Sequence, residues 1–268
     1  MLSDCFAKSS LPYAAERAEQ LLDGMATLAK QGDAIVRPNT IAYRNVINAY
    51  ARIGNVEKTE ELVEKMFDDY KRQGNTGAKP NLKTLNLVLS ALSNSTIPNA
   101  AVKAESYLRY MQDLYSRKLI DEKPNVVSYS LLLKCISRSN SKDAGLEAER
   151  IINEMEQKAQ AQGDRSLLPN TMSWSTAIQA YARTGEPEKA EALLERMYKS
   201  YRNGNAEAVP NSRTFTNVLQ AWCKQKNGAE RALAILDWMK ELHSSKSLSD
   251  VKPNMITYAT VLVSTHLG

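Results

Sequence analysis

Apolar residues recur along this chain at helical spacing, in two kinds of segment that alternate with each other. The first kind is seen at 40–52, where Tyr43, Val46, Ile47 and Tyr50 fall on one face of a helix. The second kind is seen at 57–66, where charged residues surround apolar steps that end at Met66. Neither kind follows the strict alternation of a half-buried strand. The pattern therefore predicts pairs of amphipathic α-helices.

The dipeptide Pro-Asn marks the start of each segment of the first kind. It occurs six times, with the prolines 42, 44, 45, 41 and 43 residues apart, at 38–39, 80–81, 124–125, 169–170, 210–211 and 253–254. Proline disfavours continuation of a helix, and asparagine is a good N-cap for the next one. Each segment of the second kind ends in a Met that lies 13 or 14 residues before the next Pro. Gly54 and Gly185 are predicted to lie in the turns between paired helices.

These regularities predict a fold built from internal repeats. A helix pair cannot bury both apolar faces by itself, so neighbouring pairs have to stack. We predict an all-α, right-handed superhelical solenoid of antiparallel helix-turn-helix repeats over residues 1–268, with the first helices on its concave side. The full repeats are 40–81, 82–125, 126–170, 171–211 and 212–254, and the partial ones are 1–39 and 255–268. Because both ends fall within a repeat, the chain is predicted to be a fragment of a longer protein.

Composition limits the class of protein only broadly. The 268 residues are 43% apolar and contain no uninterrupted apolar run of about 18 residues, so no membrane span is expected. The net charge of +5 permits an anionic partner without demanding one. Three cysteines lie far apart and form no CxxC pair, which favours a reducing compartment and predicts small buried hydrophobes at Cys5, Cys135 and Cys223. The N-terminal segment has the layout of neither a secretory signal nor a transit peptide.

Residues that could carry catalysis are scarce. His243 and His266 have no cysteine or paired carboxylate at metal-ligand spacing, and the segment GNTGAKP lacks the spacing of a phosphate-binding loop. The HxE and PCxxC signature of zinc deaminases is also missing from this sequence. The sequence therefore predicts a protein that is not an enzyme and has no cofactor or metal.

The run PNVVSYSLLLKCI, followed by AERIINEM and LLPN, closely resembles the pentatricopeptide repeat. The resemblance extends over essentially the whole chain, and it implies a helical-hairpin protein that binds single-stranded RNA in a mitochondrion or plastid, with protein partners left open. The repeats here are longer than the family's unit, and nearly all the excess lies between the Met and the Pro. An extended second helix followed by a looser loop is expected to absorb this excess.

The resemblance also implies site residues in each repeat. In the family, the fifth residue after the opening Asn and the last residue of the repeat read one base. These base-reading residues are here Arg44 with Asn81, Asn86 with Asn125, Ser130 with Asn170, Ser175 with Asn211, and Thr216 with Asn254. An aliphatic side chain three places earlier sandwiches the base, and Ile41, Val127, Met172 and Ile256 fit this role, whereas Lys83 and Arg213 do not. A basic residue near the end of the first helix contacts phosphate, which implies Arg52, Arg138, Arg183 and Lys224, while Asn94 interrupts this series.

Each of these assignments has a structural alternative. The repeated Asn residues are also expected as N-caps, and basic residues are favoured at helix C-termini by the helix dipole. Aromatic residues four after the opening Asn could stack on bases, but their apolar register assigns them to the core: Tyr43, Tyr129, Trp174, Phe215 and Tyr258. A tetratricopeptide-like scaffold that binds peptides remains the alternative function, although its Trp, Leu-Gly and Tyr signature is missing here.

The family's pairing implies a base order. The pairs that combine Ser130, Ser175 or Thr216 with Asn resemble adenine readers, because a small hydroxyl and a carboxamide meet the polar edge of the base. Asn86 with Asn125 resembles a pyrimidine reader, cytosine before uracil, and Arg44 with Asn81 has no assignment. Since the family reads RNA from 5′ to 3′ along the chain, the implied core preference is pyrimidine-A-A-A.

Overall fold

The computed structural model describes residues 12–245 and 248–265, and every regular element within these ranges is helical. The α-helices are α1 (Pro12–Lys30), α2 (Thr40–Arg52), α3 (Val56–Lys71), α4 (Leu82–Asn94), α5 (Ala100–Ser116), α6 (Val126–Arg138), α7 (Ala144–Gln162), α8 (Thr171–Thr184), α9 (Pro187–Arg202), α10 (Ser212–Trp222), α11 (Ala229–Ser244) and α12 (Met255–Thr265). Short 3₁₀ turns occupy Ala34–Val36, Thr76–Ala78, Arg165–Leu167 and Ser249–Val251. The predicted all-α class is therefore confirmed.

The chain divides into two compact units, Met1–Cys135 and Ile136–Gly268. Within the first unit, α2 packs against α1, α3 and α4, and α5 packs against α4. Within the second unit, α8 packs against α7, α9 and α10, and α10 packs in turn against α11 and α12. A first helix therefore contacts its own second helix and the first helix of the next repeat, which is the stacking that the sequence predicted. The continuity of one array over 1–268 stays a prediction.

Asparagine caps fix where the first helices begin. The Oδ1 of Asn39 accepts hydrogen bonds from the N–H groups of Ile41 and Ala42, each at 3.0 Å. The other opening asparagines accept in the same way from an N–H two or three residues later: Asn81 from Thr84, Asn125 from Val127, Asn170 from Ser173, Asn211 from Arg213 and Thr214, and Asn254 from Thr257. The predicted caps are confirmed at all six positions, and each contributes about 1 kcal/mol to its helix.

Left-handed glycines lie in two of the turns between paired helices. Gly54 has φ of +72° and Gly185 has φ of +82°, a region that favours glycine, so the predicted turn positions are confirmed. At Gly54 a Cβ atom would also lie only 2.9 Å from the carbonyl oxygen of Asn94. This glycine therefore allows the helix turn of one repeat to approach the end of the next first helix.

The repeat's aromatic position belongs to the core. Tyr43, Tyr129, Trp174 and Phe215 are each at most 2% exposed, as predicted. The same prediction is wrong for Tyr258, which is 46% exposed, because in the described part of the chain the main contacts of α12 are with α10 and α11. The methionines that end the second-helix pattern from repeat 1 onward are fully buried: Met66, Met111, Met155, Met197 and Met239.

The long connectors are tied down by hydrogen bonds. The second helices α3, α5, α7, α9 and α11 are 16 to 19 residues long and continue past the Met of the pattern. The expected looser loop is wrong for three connectors, because a hydroxyl at the start of the same repeat's first helix donates to two connector carbonyls. These bonds join Thr40 to Gly77 and Lys79, Thr171 to Glu207 and Val209, and Ser212 to Asp250 and Lys252.

Buried amides add a second tie in two of these connectors. The Nδ2 of Asn75 donates to the carbonyl of Pro38 at 2.7 Å, and that of Asn205 donates to the carbonyl of Pro169 at 2.9 Å. Both asparagine side chains are buried, so each bond satisfies groups that water cannot reach. The end of a repeat is thereby fixed to its own opening proline.

The cysteines are only partly as predicted. Cys135 is buried, but Cys223 is half-buried, because it follows the last residue of α10 as its C-cap. The prediction for Cys5 lies outside the described residues, as does His266.

Candidate functional site

The candidate site begins with large apolar side chains that the fold leaves in water. Ile41, Val127, Met172 and Ile256 are 58%, 50%, 57% and 61% exposed. Each is the second residue of a first helix, two positions after the capping Asn that opens it. Lys83 and Arg213 occupy the same register in the remaining repeats and are also exposed. Their exposure at one register makes these four side chains candidates for contact with a ligand.

One turn further along, the predicted base-reading residues are less exposed. Arg44 and Ser130 are half-buried, whereas Asn86, Ser175 and Thr216 are 9% exposed or less. The hydroxyl of Thr216 donates back to the carbonyl of Ser212 at 2.7 Å. The carbonyl of Ser175 accepts a bond from the Nδ2 of Asn217 at 3.3 Å. Burial and these hydrogen bonds therefore restrict the conformations of Ser175 and Thr216.

The capping asparagines present one polar group each. Because the Oδ1 atom of each cap accepts backbone N–H groups, the amide nitrogen Nδ2 points the other way. Within the described part of the chain, the Nδ2 atoms of the five predicted readers have no hydrogen-bond partner: Asn81, Asn125, Asn170, Asn211 and Asn254. Each repeat therefore ends in a hydrogen-bond donor of fixed orientation.

Hydroxyl groups three residues after the cap reinforce this orientation in four repeats, and sequence reasoning missed them. The hydroxyls of Thr84, Ser173 and Thr257 donate to the Oδ1 of their own capping Asn at 3.0 to 3.1 Å. The hydroxyl of Thr214 accepts from the N–H of Asn211 and completes a capping box. The signal was available, because Ser or Thr stands at this register in five of the six first helices.

Ser128 uses its hydroxyl differently and links two predicted readers. Its Oγ donates to the Oδ1 of Asn86 at 2.8 Å and accepts from the N–H of Asn125 at 3.3 Å. The pair Asn86 and Asn125 is thereby joined through one side chain. The pairs Arg44 with Asn81, Ser175 with Asn211, and Thr216 with Asn254 share no hydrogen bond in residues 12–245 and 248–265.

The four predicted phosphate-binding residues all have exposed side chains. Arg52, Arg138 and Lys224 have exposed side chains near the ends of α2, α6 and α10. Arg183 is exposed as well, but its Nη1 donates to the carbonyl of Ser137 at 2.6 Å. The Nδ2 of Asn94 makes the same kind of bond to the carbonyl of Ala51 at 3.1 Å. Both bonds join the ends of consecutive first helices, so this position also has a structural use.

Ionisable groups in the core are held in their neutral or paired forms. Burial, together with a hydrogen bond to Asp69, raises the pKa of Tyr43 well above its ordinary value, so Tyr43 remains a donor at neutral pH. In the ranges that the structure describes, no group of His, Cys, Asp and Glu could hold a metal ion. None of the described helices has the length and apolar character needed to cross a membrane.

Known proteins resemble this chain in sequence and in fold. A family model described as PPR repeat matches residues 41–69 and 172–201. A pentatricopeptide repeat-containing protein from Arabidopsis thaliana is 34% identical over 110 residues, which are 40% of this chain and 17% of that protein. The crystal structure of the pentatricopeptide repeat protein PPR10 from maize aligns with 92% of this chain and 29% of its own, with a TM-score of 0.56 and 26% identity.

A second PPR10 structure, in complex with an 18-nt psaJ RNA element, aligns with 94% of this chain at a TM-score of 0.54 and 24% identity. That match covers 30% of the PPR10 chain. The present chain thus spans less than a third of the length of each of these relatives. At this level of identity the RNA complex supports a shared fold of stacked helix pairs.

Proposed function

We propose that this chain, which belongs to the pentatricopeptide repeat proteins, binds single-stranded RNA and reads one base per repeat. The observation that carries the proposal is the recurring triplet of an exposed aliphatic side chain, a fixed amide donor and a polar residue one helical turn away. In this arrangement the aliphatic group packs on the face of an unstacked base. The polar groups meet its edge, where single-stranded bases offer hydrogen-bonding atoms. The chain itself performs no chemistry on the RNA.

The orientation of the capping amides supports the implied base order. A cap whose Oδ1 is already engaged can only donate from Nδ2, so when it is directed at the ring nitrogen of the Watson–Crick edge it suits a base with an acceptor there. Adenine and cytosine carry a ring-nitrogen acceptor there, whereas guanine and uracil carry N–H. Asn170, Asn211 and Asn254 would therefore favour adenine, and Asn125 would favour cytosine before uracil. This supports the order pyrimidine-A-A-A for repeats 2 to 5.

The exposed basic residues would follow the phosphate backbone. Arg52, Arg138, Arg183 and Lys224 are the candidates, and the guanidinium of Arg183 also binds the carbonyl of Ser137. Binding through phosphates releases counterions, so affinity falls steeply as salt rises. Filter binding of the chain to single-stranded RNA at two salt concentrations tests this. Absent or salt-insensitive binding would favour the tetratricopeptide-like peptide scaffold.

Replacing Asn211 by Asp tests the base order at one position. Aspartate caps helices as well as asparagine does, so α10 should be retained. Its carboxylate only accepts hydrogen bonds, so the third base should change from adenine to guanine, with a discrimination of about 1–3 kcal/mol. Selection from a random RNA pool is the measurement. The matched control, Asn254→Asp, should change the fourth base and leave the third as adenine.

Adenine at the third base of the Asn211→Asp variant would show that the pairing does not hold for this protein. RNA binding itself would still stand in that case.

We further propose an organellar location, mitochondrion or plastid, on the family resemblance. Imaging of the full-length protein fused to a fluorescent protein tests it, and a signal spread evenly through the cytosol would contradict it.

A further inference from the structure

We propose that Ser128 is a positioning residue that gives repeat 2 its preference for cytosine over uracil, by fixing the side-chain amide of Asn86. The inference rests on the proposed function, because it concerns how a base is chosen once RNA is bound. It assigns a role to a residue outside the base-reading pair.

The geometry leaves the Ser128 hydroxyl one arrangement that satisfies its neighbours. Ser128 is fully buried, and its Oγ accepts the N–H of Asn125 at 3.3 Å. A hydroxyl has a single proton, and that proton is directed to the Oδ1 of Asn86 at 2.8 Å. The carbonyl side of the Asn86 amide therefore faces Ser128. Its Nδ2 has no hydrogen-bond partner in the described residues and is directed away from Ser128.

The equivalent hydroxyls elsewhere bond to the capping Asn that opens their own helix. Those of Thr84, Ser173 and Thr257 donate to the Oδ1 of their own capping Asn, and that of Thr214 donates to the carbonyl of Asn211. The residues at the Asn86 register in the other full repeats are Arg44, Ser130, Ser175 and Thr216, which have no carboxamide to orient. Ser128 and Asn86 thus form a matched pair specific to this repeat.

The fixed amide decides between the two pyrimidines. With Oδ1 of Asn86 bound to Ser128 and Oδ1 of Asn125 bound to its helix, both readers of repeat 2 present Nδ2 donors. Cytosine offers adjacent acceptors at N3 and O2, whereas in uracil the acceptors O2 and O4 flank an N–H donor at N3. A donor directed at N3 therefore matches cytosine and meets another donor in uracil. A freely rotating Asn86 amide could instead offer its oxygen to uracil. Ser128 removes that option.

The test measures binding of two RNA oligonucleotides that differ only in C or U at the first base of the four-base core. The wild-type chain should prefer the C oligonucleotide by about tenfold. Ser128→Ala should reduce this ratio to about two or less, and the adenine preferences at the other three bases should remain. Ser128→Thr keeps a hydroxyl and should restore the ratio. The control Ser173→Ala removes the equivalent hydroxyl of repeat 4 and should leave the first-base ratio at its wild-type value.

A second variant guards against misfolding, because Ser128 also accepts the N–H of a helix cap. Ser128→Cys keeps the side-chain volume and replaces a strong donor by a weak one, so it should lower the C/U ratio in the same direction. An unchanged ratio in a folded Ala or Cys variant that still binds RNA overturns the role of Ser128 and leaves the proposed function intact. Absence of RNA binding by the wild-type chain overturns both.

Discussion

Glu149 and Glu60 occupy the same position in two repeats, six residues before the buried Met155 and Met66, yet their surroundings differ. Glu149 on α7 accepts a 2.5 Å hydrogen bond from the hydroxyl of Tyr181, which lies in the buried face of α8. The position on α4 that corresponds to Tyr181 holds Leu92, which has no donor. Burial, without such a bond, raises the pKa of Glu60 above its ordinary value.

This difference shows that the repeats share a backbone plan but satisfy their polar groups one by one. The bonded arrangement recurs, because Tyr50 donates to Glu19 and the indole N–H of Trp222 donates to Glu191. Repeat 1 has the glutamate, Glu60 on α3, but the neighbouring helix α4 has the aliphatic Leu92 in place of the hydrogen-bond donor. The repeated glutamate therefore stabilises the stacked helices where it accepts a hydrogen bond, and its charged form destabilises them where it is buried without one.

The Tyr181 ring also restricts the residue that α7 can place beside it. A Cβ atom at Gly145 would lie 2.1 Å from Cδ1 of Tyr181, so only glycine fits beside the ring. Other second helices place Val56, Ala101, Pro187 or Ala229 at this register. The tyrosine that binds Glu149 and the glycine that admits its ring are thus linked through packing.

The largest effect is expected for Gly145→Ala. The tyrosine ring is fully buried and its hydroxyl is bound to Glu149, so it cannot move aside without loss of that bond. We expect a loss of about 2–3 kcal/mol in the free energy of unfolding, measured by urea denaturation. The control is Gly24→Ala in α1, where no atom lies within 4 Å of the added Cβ. It should stabilise by about 0.5–1 kcal/mol, and a similar loss in both variants would refute the packing argument.

A smaller loss is expected for Tyr181→Phe. The change keeps the ring but removes the donor to a partly buried carboxylate, which should cost about 1–2 kcal/mol in the free energy of unfolding. Arg196 lies 3.8 Å from Glu149 and limits the loss. Tyr50→Phe should cost a similar amount, because Lys58 remains beside Glu19 at 3.1 Å. If neither variant changes the denaturation midpoint, these hydrogen bonds do not stabilise the stacked repeats.

The smallest effect, and one of opposite sign, is expected for Glu60→Gln. Because burial raises the pKa of Glu60 in the folded chain, its charged form opposes folding above that pKa. Wild-type stability should therefore rise as the pH falls from the pKa of Glu60 in the folded chain towards its pKa in the unfolded chain. Glu60→Gln should melt slightly higher than wild type at pH 7, by about 1–2 °C, and this gain should disappear near pH 4.

Glu186→Gln is the matched control for that pH dependence. A hydrogen bond from Lys189 lowers the pKa of Glu186, so its charged form favours folding at neutral pH. This variant should melt slightly lower than wild type at pH 7, and the difference should vanish as acid protonates Glu186. Equal shifts of the same sign in both glutamine variants would contradict the assignment.

Helix pairs, their starts and their buried faces could be predicted from the sequence because they depend on neighbours in the chain. Each Pro-Asn acts within three residues, and apolar spacing selects the buried face whatever packs against it. The aromatic register at Tyr43, Tyr129, Trp174 and Phe215 followed from the same rule. The same rule failed at Tyr258, where exposure depends on which elements pack over a helix rather than on its own pattern.

The contacts that differ between repeats were decided by the tertiary structure alone. Ser128 reaches Asn86 across 42 residues, Arg183 reaches Ser137 across 46, and Asn75 reaches Pro38 across 37. A period of similar length was visible in the sequence, but it did not show which hydroxyl, guanidinium or amide would cross to a neighbouring helix. That choice depends on side-chain geometry of a few tenths of an ångström, because hydrogen bonds weaken steeply with distance and angle. Local pattern specifies the helices, and stacking decides which of their polar groups meet.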